Sequence, residues 1–267
     1  SIEGGSETTE FDLKPTDYDE STHYFVSFYF RNRWEDALQQ PPNILLANGF
    51  ERITEIEVWK QAGAGSSAED LNVRQAVAVV DLGEPSALIT GPDDYTQQIL
   101  PDPDRDQYTD VFLRDNLRPG TLTNQTQSLE ALGLQTHDFA QGKFKRLQPS
   151  EYEFDELLGY ITLNSRLADG EALAVAYRYV ANGRTITVGD FSTETGGSTG
   201  AQDEDRLVLK MLRPTNLRQP GTDINPAAWY LEMRNIYNLQ GRGLNPADFE
   251  LQVYYEPPGK TASKTVR

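Results

Sequence analysis

The clearest fold signal in this sequence is the stretch Glu151–Tyr179, which contains two strand patterns joined by a polar turn. In its second half, large apolar residues alternate with alanines, and a period of two is typical of a β-strand with two different faces. Asn182-Gly183 follows, and this dipeptide favours the two-residue type I′ turn. The pattern therefore predicts a tight hairpin between Ala172–Val180 and Thr185–Phe191.

Strand patterns recur along the rest of the chain, whereas helix patterns are short. The further predicted strands are His23–Phe30, Ile53–Lys60, Gln75–Leu82, Leu158–Leu163, Leu207–Leu212, Trp229–Ile236 and Phe249–Tyr255. The predicted helical segments are limited to Arg31–Gln40 and Ser128–Leu134. About ten strands with so little helix favour layered β architectures. We predict an all-β, β-sandwich-like fold with very little helix, built either as one sandwich or as two β-rich lobes.

The predicted domain organisation follows changes in composition. The stretch 91–121 is rich in proline and aspartate, which favours an acidic loop or a linker. We expect a flexible lead-in at 1–19, a first β-rich lobe with this acidic loop at 20–140, a second β-rich lobe at 141–258 and a flexible tail at 259–267. The sequence leaves open whether the lobes are separate domains or one continuous sandwich.

Two local patterns predict details of the first strands. Ile53 is out of phase with Ile56, which indicates a β-bulge or a later start of the strand Ile53–Lys60. The polar stretch Gln61–Asp70 then separates this strand from Gln75–Leu82. The two strands are therefore predicted to form a hairpin with a long loop.

A short pattern occurs three times, at Leu13, Leu147 and Leu244, and reads Leu-x-Pro-small-acid-aromatic-acid. Proline fixes the backbone of a turn, the small and acidic residues can accept hydrogen bonds from it, and the aromatic residue can enter the core. The pattern predicts a turn that leads into a strand. Duplicated lobes are an alternative explanation of the repeat.

Net charge and cysteine content exclude several classes of function. The formal net charge is −17, which repels nucleic-acid phosphates and anionic lipid headgroups, so no nucleic-acid partner is expected. The chain has no cysteine, which removes disulfides, thiolate metal sites and cysteine nucleophiles. It also lacks an apolar run of about 18 residues, so no membrane-spanning helix is expected in this segment.

One acidic spacing is a candidate calcium site. The pattern D-x-D-x-D-x-x-x-D consists of Asp102, Asp104, Asp106 and Asp110. Carboxylate oxygens at such intervals can surround Ca²⁺. An EF-hand loop would have glycine and glutamate where Gln107 and Leu113 stand, so a solvated acidic loop is the competing interpretation. No other cofactor is predicted.

No catalytic set is predicted from the sequence, and we expect the chain not to be an enzyme. The Gly-x-Ser-x-Gly pattern at 196–200 lacks a later histidine, because His23 and His137 both precede it. The glycine-rich stretch 63–68 is followed by a strand pattern instead of the helix that would hold a dinucleotide.

Aromatic residues suggest an alternative function. The tryptophans Trp34, Trp59 and Trp229, together with 13 tyrosines, could include a sugar-stacking platform. A surface carbohydrate-binding β-sandwich is therefore the alternative interpretation. Aromatic residues also dominate β cores, which is the competing explanation of the same composition.

Several segments resemble one family when they are taken in order. The run LQPSEYEFDELLGYITLNSRLADGEALAVAYRY from Leu147, followed by NGRTITVGDFS, is similar to the SprA/Sov proteins. Similar segments are ANGFERITEIEVW at Ala47, AVAVVDLGEP at Ala76, RLVLKMLRPTN at Arg206 and WYLEMRNIYNLQGRGLNPADFELQVYYEPP at Trp229. The resemblance covers roughly 20–258, which is a small part of a family member.

This resemblance implies a function in protein export. SprA/Sov proteins are giant outer-membrane translocons of the type IX secretion system, which also serves gliding motility. The resemblance implies a parent that forms a very large membrane β-barrel for folded cargo, with a PorV-type shuttle and a plug protein as partners. This chain would then be a non-enzymatic insertion domain, either in an extracellular cap or on the periplasmic side. The family supplies no catalytic residues.

Overall fold

The computed structural model describes residues 13–39, 51–63, 72–84, 99–103, 122–131, 133–194, 206–222 and 226–238. Asp19–Ile236 forms one compact unit, and Ser1–Tyr18 together with Tyr237–Arg267 forms another. The predicted strand Phe249–Tyr255 and the predicted tail 259–267 lie outside the described residues.

Within these ranges the chain forms nine strands and three helical segments. The strands are β1 (His23–Phe25), β2 (Arg52–Gln61), β3 (Val73–Val79), β4 (Phe139–Arg146), β5 (Tyr152–Asp155), β6 (Tyr160–Leu163), β7 (Leu173–Ala181), β8 (Arg184–Val188) and β9 (Leu207–Arg213). The helices are α1 (Phe28–Gln39), α2 (Leu122–Ala131) and a 3-10 helix at Ala227–Leu231. The prediction of an all-β fold with little helix is confirmed.

The larger sheet closes on itself. Its strand order is β2-β4-β3-β9-β7-β8, and β2 also pairs with β7, so five strands form a ring with β8 attached outside it. Neighbours in an antiparallel ring alternate in direction, so an odd number of strands leaves one parallel pair. That pair is β3 with β9, while the other pairings are antiparallel. Strands from before and after residue 140 therefore share one sheet.

The core is the side-chain layer of this ring together with the helix α1. Every residue of β9 is buried, and β7 is buried at seven of its nine positions, which explains why both read as nearly continuous apolar strands. The bulkiest fully buried side chains include Trp59, Tyr24, Tyr177, Tyr179, Phe28, Phe30, Phe144 and Phe191. Burial of these rings is the main source of stability.

The smaller sheet has the order β1-β6-β5. His23–Phe30 was predicted as one strand, but only His23–Phe25 pairs, with Tyr160–Leu163. Ser27 ends the extended segment because its Oγ accepts a hydrogen bond from the backbone N–H of Phe30 at 3.4 Å, which is an N-cap contact. The helix α1 then starts at Phe28, so the aromatic run is shared between a strand and a helix.

The predicted hairpin at Asn182-Gly183 is confirmed. Ala181 pairs with Arg184 across the turn, and φ is 51° at Asn182 and 74° at Gly183, as a type I′ turn requires. The predicted bulge is also confirmed, because the register between β2 and β7 shifts between Ile53 and Glu55.

Two strand predictions are wrong in their pairing or type. The strands β2 and β3 do not form a hairpin, because β4 lies between them and pairs with both. The segment Trp229–Ile236 contains the end of the 3-10 helix and one isolated bridge, Tyr24 with Glu232, instead of a strand. Pro226 precedes that helix with a φ of −70°, a value that suits the start of a helix.

The repeated Leu-x-Pro pattern forms the same turn at both described sites. At the first, the backbone N–H of Asp17 donates to the oxygen of Lys14, and the Asp17 carboxylate accepts from the N–H of Lys14. Gln148 and Glu151 make the same reciprocal pair at 2.8 and 2.7 Å. The following aromatic residue of the second copy, Tyr152, is buried. The turn prediction is confirmed at these two sites, and the copy at 244 lies outside the described residues.

Candidate functional site

The predicted calcium ligands are only partly visible. Asp102 is half-buried, and its backbone N–H donates to the oxygen of Gly83 at 2.9 Å, while Asp104, Asp106 and Asp110 lie outside the described residues. Across the described ranges, no group of three or more histidine, aspartate or glutamate side chains is arranged to hold a metal. The Gly-x-Ser-x-Gly stretch at 196–200 also lies outside them. The calcium site therefore stays a prediction.

The three tryptophans do not form a shared exposed platform. Trp59 is fully buried in β2. Trp34 packs its ring 5.6 Å from that of Phe25, and the guanidinium of Arg234 covers the ring of Trp229 at 3.6 Å. A sugar ring would have to displace this cation, so the structure adds no support to the carbohydrate-binding alternative.

The most unusual chemistry lies in a buried ion pair between β9 and the segment that follows β3. Lys210 and Glu84 are 0% and 1% exposed, and Lys210 Nζ lies 2.8 Å from Glu84 Oε1. The ammonium also donates to the backbone oxygen of Val80 and lies 5.9 Å from the ring centre of Phe28. Charges are costly to bury, so this pair requires close compensation on every side.

The same carboxylate touches the start of a helix. The backbone N–H of Phe28, the first residue of α1, donates to Glu84 Oε1 at 3.1 Å, where the helix dipole favours negative charge. Glu84 Oε2 is buried and has no hydrogen-bond partner among the described residues. The carboxyl group is therefore compensated on one oxygen only.

Tyr177 lies close enough to this pair to sense its charge. Burial, with the Glu84 carboxylate adding to it, raises the pKa of the Tyr177 phenol well above 10.0. Asp81 is a further carboxyl group in this region, at 1% exposure. The cluster is a low-dielectric polar site enclosed by the sheet, by α1 and by residues 80–84.

A second polar cluster joins β2, β4 and the segment after β8. Arg146 Nη1 lies 2.9 Å from Glu57 Oε1 and 2.7 Å from Ser192 Oγ. Ser192 donates to the two oxygens of Glu57, from Oγ at 2.6 Å and from its backbone N at 2.9 Å. Glu57 therefore acts as a fixed acceptor that ties three segments together.

A third cluster closes the two ends of the compact unit. The backbone N–H of Ser21 donates to Glu232 Oε1 at 2.8 Å, and Arg234 binds Glu232 Oε2. The backbone N–H of Asp19 donates to the oxygen of Ile236 at 2.7 Å. The first and last residues of Asp19–Ile236 are thus one hydrogen bond apart.

The sequence contained one unused signal for the buried pair. Lys210 stands alone in the apolar run Leu207–Leu212, and a lysine in a strand that is buried on both faces requires a partner. Nothing local identifies Glu84 as that partner, because the two residues meet only through the parallel pairing of β3 and β9.

The comparisons and the membrane criterion give negative results. The chain matches no known protein family and no curated protein. None of the helices in the described part of the chain has the length and hydropathy needed to cross a bilayer.

Proposed function

We propose that this chain is a non-enzymatic insertion domain of an outer-membrane protein-secretion translocon of the type IX system, the machinery that also serves gliding motility. In this role it provides structure and contacts partner proteins or secreted cargo. The partners are a PorV-type shuttle, a plug protein and the exported proteins. The domain lies in an extracellular cap or on the periplasmic side of the parent.

The observation that carries this proposal is the closure of Asp19–Ile236 at its ends. Its terminal residues are joined by the Asp19–Ile236 backbone hydrogen bond, and the N–H of Met233 donates to the oxygen of His23 at 2.9 Å. A unit whose ends lie together can be placed within a loop of another domain without separating the strands on either side. This geometry suits an insertion.

The ordered resemblance to the SprA/Sov proteins supports the same proposal. Its segments include β3 and β9, most of β2 and the whole run from β5 to β8. These strands hold the two sheets together, so the similar segments correspond to the framework of the unit. The described polar clusters are engaged in holding segments together, which fits a structural role.

A deletion in the parent protein tests the proposal. Residues 19–236 are replaced by a short Gly-Ser linker, which the adjacent ends of the unit allow. We expect the parent to reach the outer membrane at normal abundance but to lose secretion of cargo or co-purification with its shuttle and plug partners. Normal secretion with unchanged partner recovery would refute the proposal.

A labelling experiment locates the domain. Because the chain has no cysteine, Thr185→Cys at the exposed start of β8 gives a single thiol within it. Labelling of intact cells by a membrane-impermeant maleimide is expected for a cap. Labelling only after the outer membrane is opened indicates a periplasmic domain.

A further inference from the structure

We propose that Lys210 and Glu84 are joined by an intramolecular isopeptide bond that forms spontaneously in the folded protein. The product is a secondary amide between Lys210 Nζ and Glu84 Cδ, with release of one water molecule. The bond would connect β9 to the segment after β3, beside the parallel pair of the ring.

The first argument is proximity in the absence of water. Nζ lies 2.8 Å from Oε1, and both side chains are removed from solvent, at 0% and 1% exposure. Two reactive groups held in contact react as if present at very high concentration. Removal from water also lowers the cost of moving a proton from the ammonium to the carboxylate, which produces the neutral amine and acid that can react.

The second argument is that the surroundings assign different roles to the two carboxyl oxygens. Oε1 accepts the N–H of Phe28 at the N-terminus of α1, so the negative charge that develops on it during attack is stabilised as in an oxyanion hole. Oε2 has no partner in the described part of the chain. It is therefore the oxygen that can leave.

The atoms and protons balance without any other reactant. The ammonium first passes one proton to the carboxylate. The Nζ lone pair then attacks Cδ and forms the C–N bond, the C–Oε2 bond breaks, and the hydroxyl leaves as water with a second proton from the nitrogen. One proton stays on the amide nitrogen, and no oxidation or reduction occurs.

The third argument concerns the product. Its carbonyl oxygen, Oε1, keeps the hydrogen bond from Phe28, and its single N–H can donate to Val80, whose oxygen already accepts from Nζ. The amide therefore replaces two buried charges and an unpartnered oxygen with a neutral group whose donor and acceptor are both used. The pocket thus fits the amide better than the ion pair.

Intact-mass spectrometry of the purified, denatured full chain tests the proposal. We expect a mass lower than the sequence mass by one water. Lys210→Met and Glu84→Ala should each restore the full mass calculated for the variant, and this readout does not depend on whether they fold. Lys145→Met, which changes an exposed lysine on β4, is the matched control and should keep the water loss.

Peptide mapping identifies the position of the bond. Trypsin cannot cleave after an acylated lysine, so the expected product is a branched peptide that contains both Lys210 and Glu84. A wild-type mass equal to the sequence mass would overturn the proposal. A water loss that maps to Asp169-Gly170, where a succinimide could form, would overturn it as well.

Discussion

Gly159 provides a quantitative test of how the smaller sheet packs on α1. Its φ is 69°, and a Cβ at this position would lie 2.1 Å from Cγ of Phe30. Gly159→Ala therefore combines left-handed backbone strain of about 1–2 kcal/mol with overpacking of about 1–3 kcal/mol. We expect a loss of about 2–5 kcal/mol in the free energy of unfolding.

Gly170 is the matched control for this prediction. Its φ is 82°, but a Cβ there would meet no atom within 4 Å, so Gly170→Ala should cost only the strain of about 1–2 kcal/mol. Urea unfolding followed by circular dichroism measures both variants, with an unchanged dependence on denaturant indicating the same unfolded state. Equal losses in the two variants would refute the steric argument, because they would leave strain as the only effect.

Three further predictions concern the hairpin and two buried acids. Asn182→Ala should lower the free energy of unfolding by about 1 kcal/mol, whereas Asn182→Gly should be close to neutral; thermal unfolding compares them, and an equal loss in both contradicts the turn assignment. Burial raises the pKa of the Asp138 carboxyl above 3.8, so the folded chain holds this proton more tightly and the resulting stability is lost as the pH rises above that value. Wild type should therefore lose stability relative to Asp138→Asn in urea unfolding as the pH increases from about 4, and a flat difference contradicts this assignment. The raised pKa of Tyr177 likewise stabilises the folded chain below about pH 10; above it, wild type should lose stability relative to Tyr177→Phe, measured as the unfolding midpoint, and no change in the difference would argue against a buried neutral phenol.

Predictions from the sequence succeeded where the determining interactions are local. The turn at Asn182-Gly183 and the bulge near Ile53 depend on residues within a few positions, so periodicity and turn chemistry were sufficient. The reciprocal turn at Gln148–Glu151 is equally local. In each case the side chain and the backbone that it stabilises are neighbours in the sequence.

The failures occurred where tertiary contacts decide. The aromatic run His23–Phe30 has high β-propensity, but Ser27 caps a helix whose first residue binds the distant Glu84. The strand β4 enters between β2 and β3 from much further along the chain. The buried pair of Lys210 and Glu84 depends on the parallel pairing, which no local pattern specifies.

The odd number of strands in the ring has a consequence for the order of folding. The parallel partners β3 and β9 come from opposite parts of Asp19–Ile236, so the ring cannot close until β9 has been made and delivered. Until then β3 and β7 each keep an edge that other chains can pair with. A chain that emerges from its N-terminus must therefore remain protected through most of its length, and the last strand determines when protection can end.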